Sequence, residues 1–210
     1  MDSGGTQEVD GTAIGTTVSG GADDVYSGGT VIRTVVAAGG YEYVSSGGVA
    51  SSTTVSGGGT QVLTTGGSAG FTTVSRGGTE VLSGGTASGT TIDPGGMIDL
   101  ASLAYASGGS AGVNSSGLLS VSVGGHDDTT QPAGSYAGGT FELSRDAGSG
   151  TLVTLTEPPR TLTWTGASST AFTTAANWDD LTDAENPATT PPDNVDTAEF
   201  LATGGVPPEA

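Results

Sequence analysis

The side chains best suited to chemistry in this sequence are one histidine followed by two acids. His126-Asp127-Asp128 contains the chain's single histidine. Such a set can ligate a metal ion, and aspartate carboxylates suit calcium. The same residues also fit a solvated loop that follows the strand-like Val121-Ser122-Val123, and we favour the loop. The sequence therefore predicts no metal site here.

Acid–base or polysaccharide-cleaving chemistry would need carboxylates that converge, with cations to stabilise a developing anion. Asp23-Asp24 and Asp179-Asp180 are adjacent along the chain, so on a strand their side chains face opposite ways. The basic residues are scattered: Arg33, Arg76, Arg145 and Arg160. No nucleophile is placed near His126, and no lysine-bearing helix follows a glycine loop to bind phosphate. We predict that the protein is not an enzyme and uses no cofactor.

Composition narrows the possible partners. The chain has 210 residues, 39 of them glycine, no cysteine and a net charge of −18. Nucleic acid is excluded because its binding needs cations that displace counterions from phosphate, and anionic lipid is disfavoured for the same reason. No apolar stretch is long enough for a membrane helix, so we predict no membrane insertion. Such acidity keeps a repetitive β surface soluble and suits an extracellular setting.

Pairs of glycines divide the first half of the chain at regular intervals. They begin at Gly20, Gly28, Gly39, Gly47, Gly58, Gly66, Gly77, Gly84 and Gly95. Their spacing alternates between 8 and 11 residues, with one interval of 7, which gives a repeat of about 19 residues. An earlier, shortened copy begins at Gly4. Glycine pairs mark places where the backbone must turn sharply or take a positive φ.

Small and β-branched residues recur at fixed positions between the glycines. One column is Val9, Val25, Val44, Leu63, Leu82 and Leu100, and another is Val18, Val36, Val55, Val74 and Ile92. These residue types favour strands. A single coil cannot bury its apolar side, whereas stacked coils turn each column into an inner ladder. The sequence predicts an all-β fold, a parallel β-helix with about 19 residues per coil.

The alternation of side chains along a strand separates inward from outward columns. It places the threonine column inside: Thr16, Thr34, Thr53, Thr72 and Thr90. It places the next column outside: Thr17, Val35, Thr54, Thr73 and Thr91. The polar column of Gln7, Asp23, Glu42, Gln61 and Glu80 would by the same rule lie inside. Since buried carboxylates are costly, we predict instead a bend that exposes this column.

One unit reads Gly39-Gly40-Tyr41-Glu42-Tyr43-Val44-Ser45-Ser46-Gly47-Gly48-Val49-Ala50-Ser51-Ser52-Thr53-Thr54-Val55. It resembles the AIDA-type repeat of bacterial autotransporter adhesins, and the resemblance extends over roughly residues 4–100. The resemblance implies a right-handed β-helix that forms a surface-exposed passenger. It implies cell–cell aggregation and adhesion, with glycans on Ser or Thr in some members. It also implies an extracellular or bacterial cell-surface location, with the membrane anchor in a segment outside this chain.

The second half of the chain loses the regular glycine spacing. We predict regular coils over residues 1–100, an irregular β-helix continuation over 101–157, and a further β module or linker over 158–210. Glu157-Pro158-Pro159 predicts the last boundary because proline interrupts a β ladder. In the final segment we expect four aromatic residues to form a small core, in preference to a sugar-binding platform. They are Trp164, Phe172, Trp178 and Phe200.

These observations predict a structural and adhesive protein, a fragment of a longer chain that acts as a β-helical stalk. The outward Thr17, Thr54, Thr73 and Thr91 are the candidate self-association face. The expected partners are a second copy or a host or neighbouring cell surface, with glycans as a further class. Two alternatives stay open: a passive spacer within a larger secreted protein, and a polysaccharide-binding or polysaccharide-degrading β-helix.

Overall fold

A computed structural model describes residues 4–132, 139–156, 161–169, 171–181, 188 and 197–200. The chain divides into two compact units, Met1–Thr156 and Glu157–Ala210. The described residues are almost entirely β structure, with a single 3-10 turn at Ala175–Asn177. The predicted all-β class is confirmed.

The first unit winds through stacked coils, and successive strands of a coil lie in three parallel sheets, here called faces A, B and C. Face A contains β1 (Thr6–Val9), β4 (Ala22–Val25), β7 (Tyr41–Val44), β10 (Thr60–Thr64), β13 (Thr79–Ser83) and β15 (Met97–Leu100). Face B contains β2 (Thr12–Ile14), β5 (Thr30–Ile32), β8 (Val49–Ser51), β11 (Ser68–Gly70) and the start of β14 (Thr86–Ile92). Face C contains β3 (Thr17–Ser19), β6 (Val35–Ala37), β9 (Thr54–Val55), β12 (Thr73–Val74) and the end of β14.

Partners in neighbouring coils are equivalent positions of the repeat. Val25 pairs with Val44, and Val44 pairs with Leu63, in parallel register. Leu63 pairs in turn with Leu82. The predicted parallel solenoid of about 19 residues per coil is confirmed over roughly five turns.

The glycine pairs lie at the corners of the coil, and the two glycines of a pair are required for different structural reasons. Gly58 has a φ of +80°, a left-handed conformation that side chains disfavour. Gly59 follows with its Cα against the coil below, where an added Cβ would lie 2.2 Å from the carbonyl oxygen of Val36. The Gly58 N–H donates to the carbonyl of Gly77 at 2.8 Å, so the corners of successive coils are also hydrogen-bonded.

The corner between faces B and C is built without a glycine pair. Arg33, Ser52 and Phe71 occupy it with φ values of 58°, 58° and 60°. The Ser52 N–H donates to the Gly70 carbonyl of the neighbouring coil at 2.8 Å. Hydrogen bonds between stacked coils therefore hold non-glycine residues in a conformation that costs them roughly 1–2 kcal/mol.

The coil interior is thin and made of small apolar side chains. Val18, Val36, Val55 and Val74 on face C are fully buried, as are Val25, Val44 and Leu63 on face A. Ala50 and Ala69 close the interior from face B. The inward threonine column is confirmed for Thr34, Thr53, Thr72 and Thr90, which are all buried. Its first member, Thr16, is half-buried.

Residues 101–132 and 139–156 form an irregular β continuation in which most strand pairs are antiparallel. β15 pairs antiparallel with β20 (Thr151–Thr156), which pairs antiparallel with β19 (Thr140–Arg145). A second antiparallel set is β16 (Ser110–Val113), β17 (Leu119–Val123) and β18 (His126–Pro132). β18 also pairs in parallel with β14 of the last coil, with an irregular register between Ser88 and Thr90.

These strands form a cap on the last coil. Gly124 and Gly125 both have positive φ, at 60° and 82°, which fits a two-residue turn that reverses the chain. Leu119, Val121 and Val153 from the cap share one apolar cluster with Val74 and Ile92 of the last coils. The cap therefore covers the end of the coil interior with apolar side chains.

The second unit contains a small sheet in which β21 (Thr161–Trp164) pairs with β22 (Trp178–Asp180) and β23 (Thr197–Glu199). Its buried cluster comprises Leu162, Trp164, Trp178 and Ala188. The predicted proline boundary at Glu157-Pro158-Pro159 lies outside the described residues, so that boundary and the three-segment division remain predictions.

Candidate functional site

The histidine and the acids that follow it do not form a loop. His126 begins β18 directly after the tight turn, paired with Val123, and both His126 and Asp127 are exposed. The loop prediction is wrong because Gly124 and Gly125 make a turn short enough for pairing to begin at His126. Within the described residues, no three His, Cys, Asp or Glu side chains are grouped to hold a metal ion.

The adjacent carboxylates diverge as predicted on face A. Asp23 is fully buried, whereas Asp24 is outward and half-buried. The arginines that the structure describes, Arg33, Arg76 and Arg145, are exposed. The Arg145 guanidinium lies 5.7 Å from the centroid of the Tyr105 ring. Arg160 lies outside the described residues.

The four threonines of the candidate association face lie on face C in one outward ladder. Thr17 pairs with Val35 and Val35 with Thr54, and the ladder continues through Thr73 to Thr91. Thr17 is exposed and the other three threonines are half-buried. A second outward ladder runs beside it: Ser19, Ala37, Ser56, Ser75 and Asp93. The Ser75 hydroxyl donates to Asp93 Oδ2 at 2.9 Å.

The polar column on face A lies inside the solenoid, and the expected bend is absent. Asp23, Glu42 and Gln61 are 0% exposed and Glu80 is 1% exposed. Only Gln7, in the first described coil, is half-buried. The prediction of an exposed column is wrong because strand alternation continues unbroken from this position to the apolar one two residues later.

Threonines across the interior supply hydrogen bonds to this column, which is here called the interior acid column. Thr53 Oγ1 donates to Glu42 Oε1 at 3.1 Å, and Gln61 Nε2 donates to the same oxygen at 2.5 Å. Thr72 Oγ1 donates to Gln61 Oε1 at 3.0 Å. Thr90 Oγ1 donates to Glu80 Oε2, also at 3.0 Å.

Several buried polar atoms of the interior acid column and the facing threonine column have no hydrogen-bond partner within the described residues. They are Asp23 Oδ1, Asp23 Oδ2, Thr34 Oγ1 and Glu80 Oε1. Burial raises the pKa of Glu42 to about 7, opposed by hydrogen bonds that favour the charged form. Burial likewise raises the pKa of Glu80 to about 7. It raises the pKa of Asp23 to about 6, with a further upward contribution from Asp24.

The four predicted aromatic residues of the second unit do come together. The Trp164 and Trp178 ring centroids are 5.1 Å apart, and Phe172 lies 5.9 Å from Trp178. Phe200 lies 5.8 Å from both Phe172 and Trp178. Trp178 Nε1 donates to the Phe172 carbonyl at 2.9 Å. Both tryptophans are buried while the phenylalanines are about 40–45% exposed, so the tryptophans form the core and the phenylalanines its rim.

Fold and interior together define a parallel β-solenoid with an outward threonine ladder and a buried acid column. Among solved structures, the chain is similar to a fragment of TibA that is hyper-glycosylated by TibC. The two are 46% identical, the match covers 43% of this chain and 34% of that one, and the TM-score is 0.41. The chain thus spans about a third of the length of that structure. This similarity does not assign the chain to a family.

No protein-family model matches the sequence. No curated protein matches it either. Among the residues that the structure describes, no helix is both long and apolar enough to cross a membrane.

Proposed function

We propose that this chain is part of a secreted or cell-surface stalk, and that face C associates with the same face of a second copy. The observation that carries the proposal is the continuous outward ladder from Thr17 to Thr91, in register over five coils. A repeated face lets many weak contacts add along one axis.

Charge supports the choice of face C over face A. Among the outward positions of face C, all of which are described, Asp93 alone is charged. Face A presents Glu8, Asp24 and Asp99 outward, together with the stacked rings of Tyr41 and Tyr43. In a chain of net charge −18, two copies meet with less repulsion on face C, which presents one carboxylate, than on face A, which presents three.

Face B offers the matched comparison because its outward residues are uncharged. Its first outward ladder is Thr12, Thr30, Val49, Ser68 and Thr86. Replacing four members of each face with arginine changes the net charge equally. The face C variant is T17R/T54R/T73R/T91R, and the face B variant is T12R/T30R/S68R/T86R.

Sedimentation velocity over a concentration series tests the proposal. We expect the face C variant to remain monomeric and the face B variant to associate like the unmodified chain. Loss of association in the face B variant alone, or in neither variant, would refute face C as the contact.

The second candidate function is that of a passive spacer. Only the length of the stacked coils favours it. Binding of glycans or of another cell surface belongs to the same proposal of an adhesive stalk. The polysaccharide-degrading alternative would require turnover of a polysaccharide by the purified chain.

A further inference from the structure

We propose that the solenoid interior is a proton-binding column, in which Asp23, Glu42 and Glu80 are held as neutral carboxylic acids, so that the rod takes up protons on folding and loosens when they ionise. The proposal concerns the interior and is independent of face C.

The first support is the position of the three acids. Asp23 pairs with Glu42, Glu42 with Gln61 and Gln61 with Glu80, each in the next coil of face A. Neighbouring coils are separated by roughly 4.8 Å, the spacing of paired strands. Asp23 and Glu42 are therefore direct neighbours in a buried interior, where two negative charges strongly oppose one another.

The second support is the nature of every group that faces the column. From the same face, Gln7 and Gln61 are amides and Ile98 ends the column. Facing residues from the B–C corner are Thr34, Thr53, Thr72 and Thr90, and those from faces B and C are alanine, valine and isoleucine. Arg33 precedes Thr34, but its side chain is exposed. Among the described residues, no cation therefore reaches the column.

The third support is that the column has too few hydrogen-bond donors to satisfy ionised carboxylates. An ionised carboxylate offers about four acceptor positions. Glu42 receives hydrogen bonds from Thr53 and Gln61, and Glu80 receives one from Thr90. Asp23 receives none from the described residues. Protonation removes the charge that burial penalises and gives each acid a donor of its own.

The raised pKa values of these groups agree with that geometry and set the pH range. A group whose pKa is higher in the folded state than in the unfolded chain binds more protons when folded. Its stabilising contribution is complete below the unfolded value of about 4.5 for Glu and is lost as pH rises through about 7. The rod should therefore be most stable in mild acid.

A direct test is the titration of side-chain carboxyl carbons by 13C NMR in the folded full chain. The signals of Glu42 and Glu80 are assigned by their loss in E42Q and E80Q. We expect both to titrate near neutral pH, well above the ordinary glutamate value of about 4.3. Titration of both carboxyls in the ordinary acidic range would overturn the proposal.

Unfolding equilibria at pH 5 and pH 8 give the second readout. We expect the unfolding constant of the unmodified chain to be at least about tenfold larger at pH 8. E42Q/E80Q should lose most of that difference. The control E8Q/D10N removes two exposed carboxylates from the first coil and should keep it. If the control loses the difference as fully, overall charge repulsion is the cause and the proposal fails.

Discussion

Gln61 donates a hydrogen bond from Nε2 to Glu42 Oε1 across 2.5 Å, joining one coil to the next inside the solenoid. The Gln61 carbonyl oxygen accepts in turn from Thr72. One amide thus serves an acid in the coil before it and a hydroxyl in its own coil. Two threonines, Glu42 and Gln61 therefore form one hydrogen-bonded network within the two columns.

Replacing Gln61 with leucine should destabilise the rod strongly. The change removes a donor from buried Glu42 and the acceptor of Thr72, so two buried polar groups lose a partner. We expect a loss of about 2–4 kcal/mol in the free energy of unfolding, measured by urea denaturation. Gln7→Leu in the half-buried first coil is the control and should cost much less. Equal losses would show that the network contributes nothing special.

Asp99 should destabilise the junction between the last coil and the cap at neutral pH. Burial, and then the nearby Asp146, raises the pKa of Asp99 to about 6. Because the folded value exceeds the unfolded value of 3.8, the stabilising protonated form is lost as pH rises through about 6. Asp99→Asn should therefore stabilise the chain at pH 8 and have little effect at pH 4.

The size of the Asp99 effect should be modest, below about 1 kcal/mol, since the side chain is half exposed and solvent screens it. Thermal unfolding at the two pH values measures it. A stabilisation that is equal at pH 4 and pH 8 would contradict the assigned cause.

Alanine substitutions at Gly57 and Gly59 should have very different effects on the free energy of unfolding, because only Gly59 lies close against the neighbouring coil. Gly59→Ala forces a Cβ against the Val36 carbonyl at 2.2 Å, and backbone must shift to accommodate it. We expect a cost of at least about 2 kcal/mol. Gly57→Ala meets its nearest neighbour, the Arg76 carbonyl oxygen, at an ordinary 3.7 Å and should be nearly neutral. Similar denaturation midpoints for the two variants would argue against stacked corners.

Removal of two whole coils separates a contact face from a passive spacer. Deletion of residues 25–62 joins Asp24 to Leu63 and keeps every column in register, because Val25 and Leu63 hold equivalent positions. If face C associates, the association constant should fall with the number of coils, whereas a spacer should be unaffected. Sedimentation equilibrium compares the two chains, and circular dichroism confirms that the shortened one is folded.

The repeat made the solenoid predictable because its columns are redundant. The same register is indicated independently by Val25, Val44 and Leu63, which hold equivalent positions in successive coils. An irregular residue in one coil therefore does not hide the repeat. The cap was not predictable in the same way, since β15 and β20 are far apart in sequence and nothing local specifies antiparallel pairing. The B–C corner was missed because Ser52 and Phe71 adopt positive φ through hydrogen bonds between coils and not through residue type.

The inward position of the interior acid column follows from the alternation of side chains along the strand. The free-energy cost of burying carboxylates led instead to the prediction that the column is exposed. That cost was judged for isolated carboxylates. Glu42 is partnered by Thr53 and Gln61, which the sequence places 11 and 19 residues away. In a solenoid those separations are contacts, so a polar column should be examined together with the threonine column that faces it.

Oxidative cross-linking of single-cysteine variants tests the proposed stalk contact most directly, because the chain contains no cysteine of its own. Thr73→Cys reports on face C and Ser68→Cys on face B; both positions are outward, half-buried and in the same coil. Association through face C predicts that Thr73→Cys forms disulfide-linked dimers faster than Ser68→Cys. Equal rates, or faster dimer formation by Ser68→Cys, would contradict it.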